Sequence, residues 1–307
     1  MDHDTQLSSG SLFHYTPTLD NLKEILQTGF RPSFSLERMA FSFEDDPTPE
    51  EIKLTSQANI GKWVRLRKNN PPDKYAYVAM VSFCDIPVPL SYTHAKVYGR
   101  YAIGLSKRWA EDVVGLNPIL YMSSKSQLLR SFNLLWTRLS MLDQTYFFRP
   151  PPDHFSIRSA EEIKSEHAKD SLYQLRGYER ILAICREVSC HFKLYEDPFS
   201  HGSYTNTCHR FYDEREWRYL PPDKGGPAML DLGAPKEIRD HFICELVPLP
   251  IDLRFVTNLL VQSEDEKKEL RKFLMDLHAT GDARSDINTI QIMRLEEVCQ
   301  QDTGGDA

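Results

Sequence analysis

Residues 74–122 read KYAYVAMVSFCDIPVPLSYTHAKVYGRYAIGLSKRWAEDVVGLNPILYM, a segment in which strand-like and helix-like patterns alternate. The strand-like pieces are rich in β-branched and aromatic residues, and the helix-like pieces end at glycines. The alternation predicts strands at 74–83, 100–105 and 118–122, and helices at 91–99 and after Ser106. Because short strands and helices follow one another in this way, the sequence predicts an α+β fold with a mixed central sheet.

Residues 12–29 also change from a strand-like to a helix-like pattern. Residues 12–15 (LFHY) predict a short strand, and Thr18 or Asp20 can cap the helix that follows. Gly29 stands where that helix should end. Residues 31–53 contain prolines and acidic residues, which predict a loop or lid over the first strand.

The middle of the chain changes to helical patterns. Residues 125–142 and 160–190 predict two helices. Their core candidates are Leu128, Leu129, Phe132, Leu135, Trp136 and Leu139, then Leu172, Leu175, Ile181, Leu182 and Ile184. We therefore interpret residues 123–195 as a helical insertion that divides one core into residues 1–122 and 196–300. Its apolar faces can pack on the chain's own sheet or form an interface.

The C-terminal part returns to strand-like patterns. Strands are predicted at 209–221, 241–249, 254–261 and 289–295, with an amphipathic helix at 264–277. The last residues, 301–307, are polar and glycine-containing, which predicts a disordered tail.

The composition is that of a globular protein. Of the 307 residues, 41% are hydrophobic and 26% are charged, and 37 Lys and Arg against 44 Asp and Glu give a net charge of −7. This excludes a disordered acidic chain, and the acidic balance argues against an extended duplex-DNA reader. No run of about 18 apolar residues predicts a membrane-spanning helix. The start, MDHDTQ, lacks signal-peptide features and the six cysteines are widely spread, so we expect reduced thiols and a cytoplasmic protein.

Two groups of side chains near strand ends could bind a nucleotide. His14, Tyr15 and Thr16 end the first predicted strand, where an imidazole and a hydroxyl can contact a ribose. Tyr98 and Tyr101 flank a glycine turn and can stack on a flat ring. The alternatives are that His14 is a core histidine bonded to the backbone, and that the tyrosines pack a helix–strand corner.

The segment 212–218, YDEREWR, is the strongest candidate for chemistry. In a continuous strand, Glu214, Glu216 and Arg218 share one face. Two carboxylates on that face can stabilise a developing cation or activate a nucleophile. The alternative is a structural salt-bridge ladder, which needs no chemistry.

A metal site is a weaker alternative. Its candidate ligands are Cys185, Cys190, His191, His201, Cys208 and His209. Their spacing matches no common zinc signature, so no metal is expected. The chain also lacks the motifs of P-loop NTPases, Rossmann dehydrogenases, zincin proteases and α/β-hydrolases.

Four motifs occur in a distinctive order along the chain. They are HYT (14–16), FCDIP (83–87), YGRYAIGLSKRW (98–109) and DEREWRY (213–219). In this combination the chain resembles the AbiGi family of abortive phage resistance proteins. The resemblance implies a component of a two-gene bacterial phage-defence system, described as its antitoxin. It also implies a partner protein, from that system or from a phage.

A further similarity concerns ADP-ribosyltransferase folds with a histidine, tyrosine and glutamate triad. The order of a strand histidine, an aromatic residue and a late-strand glutamate is similar here. It implies an NAD site formed by His14, Tyr15, Thr16, Tyr98, Tyr101 and Arg218, with His14, Glu214 and Glu216 as catalytic residues. Residues 214–216 also read E-x-E, as in one clade of these enzymes, although that clade has an arginine where this chain has His14.

Two functions therefore stay open. In the first, the chain is an NAD-dependent, ADP-ribosyltransferase-like effector, which requires His14, a tyrosine and Glu216 to converge within about 10 Å. In the second, it is a non-enzymatic antitoxin or sensor that binds a partner toxin or a phage protein. The acidic net charge would suit a basic partner.

Overall fold

The computed structural model describes residues 9–38, 75–132, 134–135, 181, 184–185, 187–222, 229–231, 236–280 and 287–300. Its strands are β1 (Ser11–Thr16), β2 (Ser33–Arg38), β3 (Tyr75–Cys84), β4 (Tyr101–Ser106), β5 (Asn117–Pro118), β6 (Leu120–Met122), β7 (Phe192–Leu194), β8 (Glu196–His201), β9 (Tyr204–Arg210), β10 (Glu216–Tyr219), β11 (Met229–Asp231), β12 (Val256–Val261) and β13 (Gln291–Arg294). Its principal helices are α1 (Leu19–Thr28), α2 (Tyr92–Tyr98), α3 (Lys236–Glu245), α4 (Glu264–Thr280) and α5 (Leu295–Gln300). In these parts of the chain, no helix is long and apolar enough to cross a bilayer.

One mixed sheet forms the centre of the molecule. Its strands lie in the order β13-β12-β4-β1-β3-β10-β5, and β2 and β11 pair with the first half of β3. β12 and β13 are parallel, whereas β1 is antiparallel to both β3 and β4. The predicted α+β fold with a mixed sheet is therefore confirmed. Two smaller sheets, the parallel pair β6–β7 and the β8–β9 hairpin, lie outside it.

The two faces of the central sheet bury separate apolar clusters, because successive side chains of a strand point to opposite faces. Leu12, Ile103 and Leu259 lie on the face that packs against α1 and α4, here called the α1 face. Phe13, Ala102 and Leu260 lie on the face that packs against α2 and α5, here called the α2 face.

Helix α1 forms where the sequence predicts it. The Thr18 hydroxyl accepts a hydrogen bond from the backbone N–H of Asn21, which caps the first turn. Gly29 ends the helix at φ 84°, a conformation that other residues seldom adopt. The strand that precedes the helix is also confirmed, as β1.

Gly99 joins α2 to β4 at a point of close approach. Its φ is 125°, and a Cβ atom at this position would lie 2.2 Å from the carbonyl oxygen of Thr16. Only glycine lets the end of α2 contact the end of β1 in this way. The junction brings Tyr98 onto the α2 face and Tyr101 into the sheet.

Four expectations from the sequence are wrong in part. Residues 33–38, predicted as loop, form β2. They do so because their backbone pairs with that of β3, although their sequence shows only a weak strand pattern. Residues 241–245 belong to helix α3 rather than to a strand, because a short apolar run fits either structure. The predicted strand 118–122 divides into β5 and β6, which pair with different strands. The strand predicted at 209–221 is broken by a turn, described below. Residues 39–53 and 301–307 lie outside the described residues.

The middle segment is helical where it is described. Residues 127–132 and 187–189 are helical, and Leu129 is buried. Four predicted core residues are instead exposed: Leu128, Leu135, Ile181 and Ile184. Trp136, Leu139, Leu172, Leu175 and Leu182 lie outside the described residues. The parallel pairing of β6 with β7 brings the two ends of the segment together. Its interpretation as an insertion stays a prediction.

Candidate functional site

Glu216 is the centre of a buried charge network on the α2 face. Its Oε1 accepts hydrogen bonds from Arg218 Nε (2.6 Å) and the Ser82 hydroxyl (2.8 Å). Its Oε2 accepts from Lys193 Nζ (3.0 Å) and a second Arg218 nitrogen (3.2 Å). Only 6% of the residue is exposed, so these protein groups replace water as the partners of the carboxylate.

Glu214 joins this network through a break in the strand. Residues Phe211–Glu214 form a 3₁₀ turn, and Arg215 follows in the left-handed region at φ 45° before β10 begins. Glu214 therefore lies outside the strand, yet its carboxylate reaches the same buried network as that of Glu216. Its Oε2 lies 3.3 Å from Lys193 Nζ, and its Oε1 accepts from Tyr98 (2.6 Å) and from His209 Nε2 (2.9 Å).

Each of the three guanidinium nitrogens of Arg218 donates a hydrogen bond inside the protein. Besides Glu216, its guanidinium donates to the Cys190 carbonyl (2.6 Å) and to Glu37 (2.9 Å). The residue is 2% exposed. It is therefore a buried partner of carboxylates inside the protein.

The charges of the network hold one another in their ionised forms. Burial alone would raise the pKa of Glu216, but Arg218 and Lys193 outweigh it and hold that pKa well below its usual range. The pKa of Glu214 is likewise lowered, because Lys193 and the hydrogen bond from His209 outweigh its burial. Burial would lower the pKa of Lys193, yet the neighbouring carboxylates raise it. Three carboxylates, the third being Glu37, thus face two permanent cations.

Aromatic and histidine side chains surround the Glu214 end of the network. The Tyr98 ring lies 4.5 Å from that of His94 and 5.3 Å from that of His201, measured between centroids. Tyr15 packs against His94 at 5.1 Å. Burial and the adjacent Glu214 raise the pKa of Tyr98, so this phenol is a hydrogen-bond donor at neutral pH.

His14 lies elsewhere. Phe13 and Glu216 both pair with Cys84 across the sheet, so all three point to the α2 face and His14 points to the α1 face. Its Nδ1 donates to the Ser82 carbonyl (2.9 Å), and its ring packs against Phe30 at 5.1 Å. Burial lowers the pKa of His14. These contacts are those of a core histidine bonded to the backbone.

The other predicted binding residues are divided between the two faces. Tyr15 and Tyr98 lie on the α2 face. Tyr101 pairs with the buried Thr16, lies in the α1-face cluster and donates to Glu266 (2.7 Å). The structure therefore brings together Tyr98, Glu214, Glu216 and Arg218, and it separates them from His14 and Tyr101. His14 and Glu216 thus lie on opposite faces of the sheet, and their joint role in an NAD site stays a prediction.

Comparison with known proteins identifies the family. The family model described as "Putative abortive phage resistance protein AbiGi, antitoxin" matches residues 73–229, just over half of the chain. The chain belongs to the AbiGi family. A curated relative, "Abortive phage resistance protein AbiGi" of Lactococcus lactis subsp. cremoris, is 25% identical over 171 residues, which are 52% of this chain and 57% of the relative. The chain thus spans a little over half the length of that relative. No solved structure matches, and the similarity to ADP-ribosyltransferase folds stays a prediction.

The AbiGi match covers most of the network but not all of it. Lys193, Glu214, Glu216 and Arg218 lie inside the matched residues, whereas Glu37 lies before them. Both the family model and the relative are described as abortive phage resistance proteins.

Sequence reasoning missed four members of the network. They are Glu37, Ser82, Lys193 and His209. The sequence carries no signal for Lys193, because a lysine between the apolar residues Phe192 and Leu194 fits the solvent-facing position of an alternating strand. Glu37 carries no signal either, because its segment has the composition of a loop. Among the described residues, no three His, Cys, Asp or Glu side chains are placed to hold a metal ion.

Proposed function

We propose that this chain acts in abortive infection as an antitoxin, which binds and neutralises a partner toxin. The observation that carries the proposal is an aromatic cluster, here called the tyrosine cluster, formed by the exposed Tyr195 and Tyr212 and the partly buried Tyr121. Tyr212 is 50% exposed and its ring stacks on that of Tyr195 at 5.3 Å. Tyrosine is enriched among the residues that dominate binding energy in protein interfaces.

The tyrosine cluster is held in place by the buried network beneath it. Tyr121 contacts Tyr212 edge to face at 5.5 Å, and its hydroxyl accepts a hydrogen bond from the Glu216 N–H (2.8 Å). Tyr212 belongs to the turn that also carries Glu214. Rigid aromatic side chains lose little conformational entropy on binding, which favours such a surface as a docking site.

Two further observations support binding over ribosyl transfer. Every oxygen of Glu216 is occupied by Arg218, Lys193 or Ser82, so this carboxylate is unavailable to a nicotinamide riboside. The net charge of −7 suits a basic partner, such as a toxin that acts on nucleic acid.

Coexpression with the second gene of the same defence system tests the proposal. We expect that gene to stop growth alone and this chain to restore growth. Tyr212→Ala should weaken the complex about 30-fold, which corresponds to about 2 kcal/mol. The matched control is Tyr92→Ala, another exposed tyrosine at 43%, which should leave binding unchanged. Growth arrest by this chain alone would contradict the antitoxin role.

The alternative is an NAD-dependent, ADP-ribosyltransferase-like effector that uses Glu216. Nicotinamide release by the purified chain, and its loss in Glu216→Gln, would favour this alternative. We expect no release, because Glu216 is fully paired and lies across the sheet from His14.

A further inference from the structure

The β8–β9 hairpin and the turn that follows it carry a hydroxyl, an imidazole and a carboxylate in series. The hydroxyl of Tyr204 lies 3.4 Å from His209 Nδ1, and His209 Nε2 lies 2.9 Å from Glu214 Oε1. Tyr204 and His209 are both in β9, while Glu214 is in the turn that follows. This is the order of groups in which a carboxylate orients an imidazole as a base toward a hydroxyl.

The carboxylate fixes the direction of the imidazole. Because Lys193 keeps Glu214 ionised, this carboxylate only accepts hydrogen bonds, and His209 must donate to it through Nε2. In the neutral ring the lone pair is then on Nδ1, the nitrogen that faces Tyr204. The phenolic proton of Tyr204 therefore points to a base.

Asn206 is a second residue in contact with the Tyr204 hydroxyl. Its Oδ1 accepts from the backbone N–H of Cys208 (2.9 Å), which fixes the orientation of the amide. Its Nδ2 consequently donates to the Tyr204 hydroxyl oxygen (3.2 Å). A donor at this oxygen stabilises the negative charge that grows there as the proton leaves.

We propose that Tyr204 is a nucleophile that accepts an acyl group from an activated ester, with His209 as its general base. The Tyr204 oxygen forms a bond to the carbonyl carbon, and the bond from that carbon to the leaving oxygen breaks. The phenolic proton passes to His209 Nδ1 and then to the leaving oxygen. The products are an O-acyl tyrosine and the released alcohol or phenol.

The surroundings suit an uncharged acyl group better than a phosphoryl group. The Phe199 ring lies 6.1 Å from that of Tyr204 and 4.9 Å from that of His209. The arginines that contact this hairpin or belong to it, Arg38 and Arg210, are ion-paired with Asp197 and Asp213. Tyr204 and His209 are both partly exposed, so a small ester can reach them. The site does not depend on the partner binding proposed above.

Reaction of the purified full chain with p-nitrophenyl acetate tests this proposal. We expect a burst of one nitrophenolate per chain and, by peptide mass mapping, one acetyl group on Tyr204. His209→Gln should slow the burst roughly 10²-fold, the usual contribution of a general base. Asn206→Leu should slow the burst less. Because this variant keeps His209 and Glu214, it tests the proposal even if His209→Gln does not fold.

Tyr92 supplies the matched comparison, since it is exposed and its ring lies 4.3 Å from the Lys96 ammonium, and no imidazole of the described residues contacts it. Acetylation of Tyr204 should outpace that of Tyr92, and Tyr92→Phe should leave the burst intact. Equal labelling of both tyrosines would overturn the proposal. So would a burst that survives in Tyr204→Phe, which would place the acyl group on His209.

Discussion

His14 and Glu216 lie on opposite faces of the central sheet. The residue next to His14, Phe13, shares the row Phe13–Cys84–Glu216 across β1, β3 and β10, and alternation then sends His14 to the other side. His14 contacts the aromatic core and the Ser82 carbonyl, whereas Glu216 lies in the buried charge network.

Removal of the His14 imidazole tests its structural role. His14→Phe keeps the ring but leaves the Ser82 carbonyl without the imidazole donor, and we expect a loss of about 1–3 kcal/mol in the free energy of unfolding. Urea denaturation measures this loss. The control His241→Phe changes a side chain that is 67% exposed and should cost less than about 0.5 kcal/mol. Equal effects of the two substitutions would contradict the assignment.

Removal of Arg218 should be among the most damaging single changes. Arg218→Met leaves the buried Glu216 with Lys193 as its remaining cation and removes the ion pair of the partly buried Glu37, and we expect a loss of about 3–5 kcal/mol in the free energy of unfolding. The double variant Arg218→Met with Glu216→Gln should recover part of this loss. Loss of the exposed Lys268 in Lys268→Ala should have almost no effect. An additive double variant would show that Arg218 and Glu216 do not interact.

Gly99 and Gly115 form a matched pair of glycines with positive φ. At Gly99 a Cβ would collide with the Thr16 carbonyl, whereas at Gly115 (φ 74°) no atom of the described residues lies within 4 Å of it. Gly99→Ala should therefore destabilise the chain by more than 3 kcal/mol, and Gly115→Ala by about 1 kcal/mol. Thermal unfolding of both variants measures the difference. Similar melting temperatures would mean that α2 does not approach β1 so closely.

Stability should fall as the pH falls from about 6.5 toward 4. Burial, only partly opposed by Glu214 and Glu216, lowers the pKa of His94 to about 4, against about 6.5 when unfolded. Below pH 6.5 the His94 imidazole of the unfolded chain therefore binds a proton before that of the folded chain does, which favours unfolding. The contribution of His94 to stability is fully present only above that pH. His94→Asn should give a flatter dependence of the unfolding free energy on pH between 7 and 5. An unchanged slope would contradict the buried, neutral state of His94.

The sequence predicted most of the elements that form the two cores. β1, α1, β3, α2, β4, β12 and α4 all occur close to their predicted residues. Their signals are local: the Thr18 cap, glycines at helix ends, and apolar side chains at the spacing of a strand or helix. Residues 33–38 and 241–245 were misread because their patterns are weak or fit both structures.

For the candidate site, the sequence predicted that Glu214, Glu216 and Arg218 share one face of an uninterrupted strand. In the structure the left-handed Arg215 breaks that strand, and the two carboxylates meet through Lys193. The cation is Lys193 of β7. Its position depends on the pairing of β7 with a strand that is distant in the sequence, which local patterns do not predict.

What the sequence determined by itself is therefore the set of elements, the acidic balance and the motifs that carry the family resemblance, because each of these depends on residues near one another in the chain. The tertiary structure alone decided which side chains meet. It put His14 and Glu216 on opposite faces through the register of β1, β3 and β10. It also joined Tyr204, His209 and Glu214 in a hairpin and the turn that follows. Register and strand order are set by contacts between distant segments, and a shift of one residue exchanges the two faces of a strand.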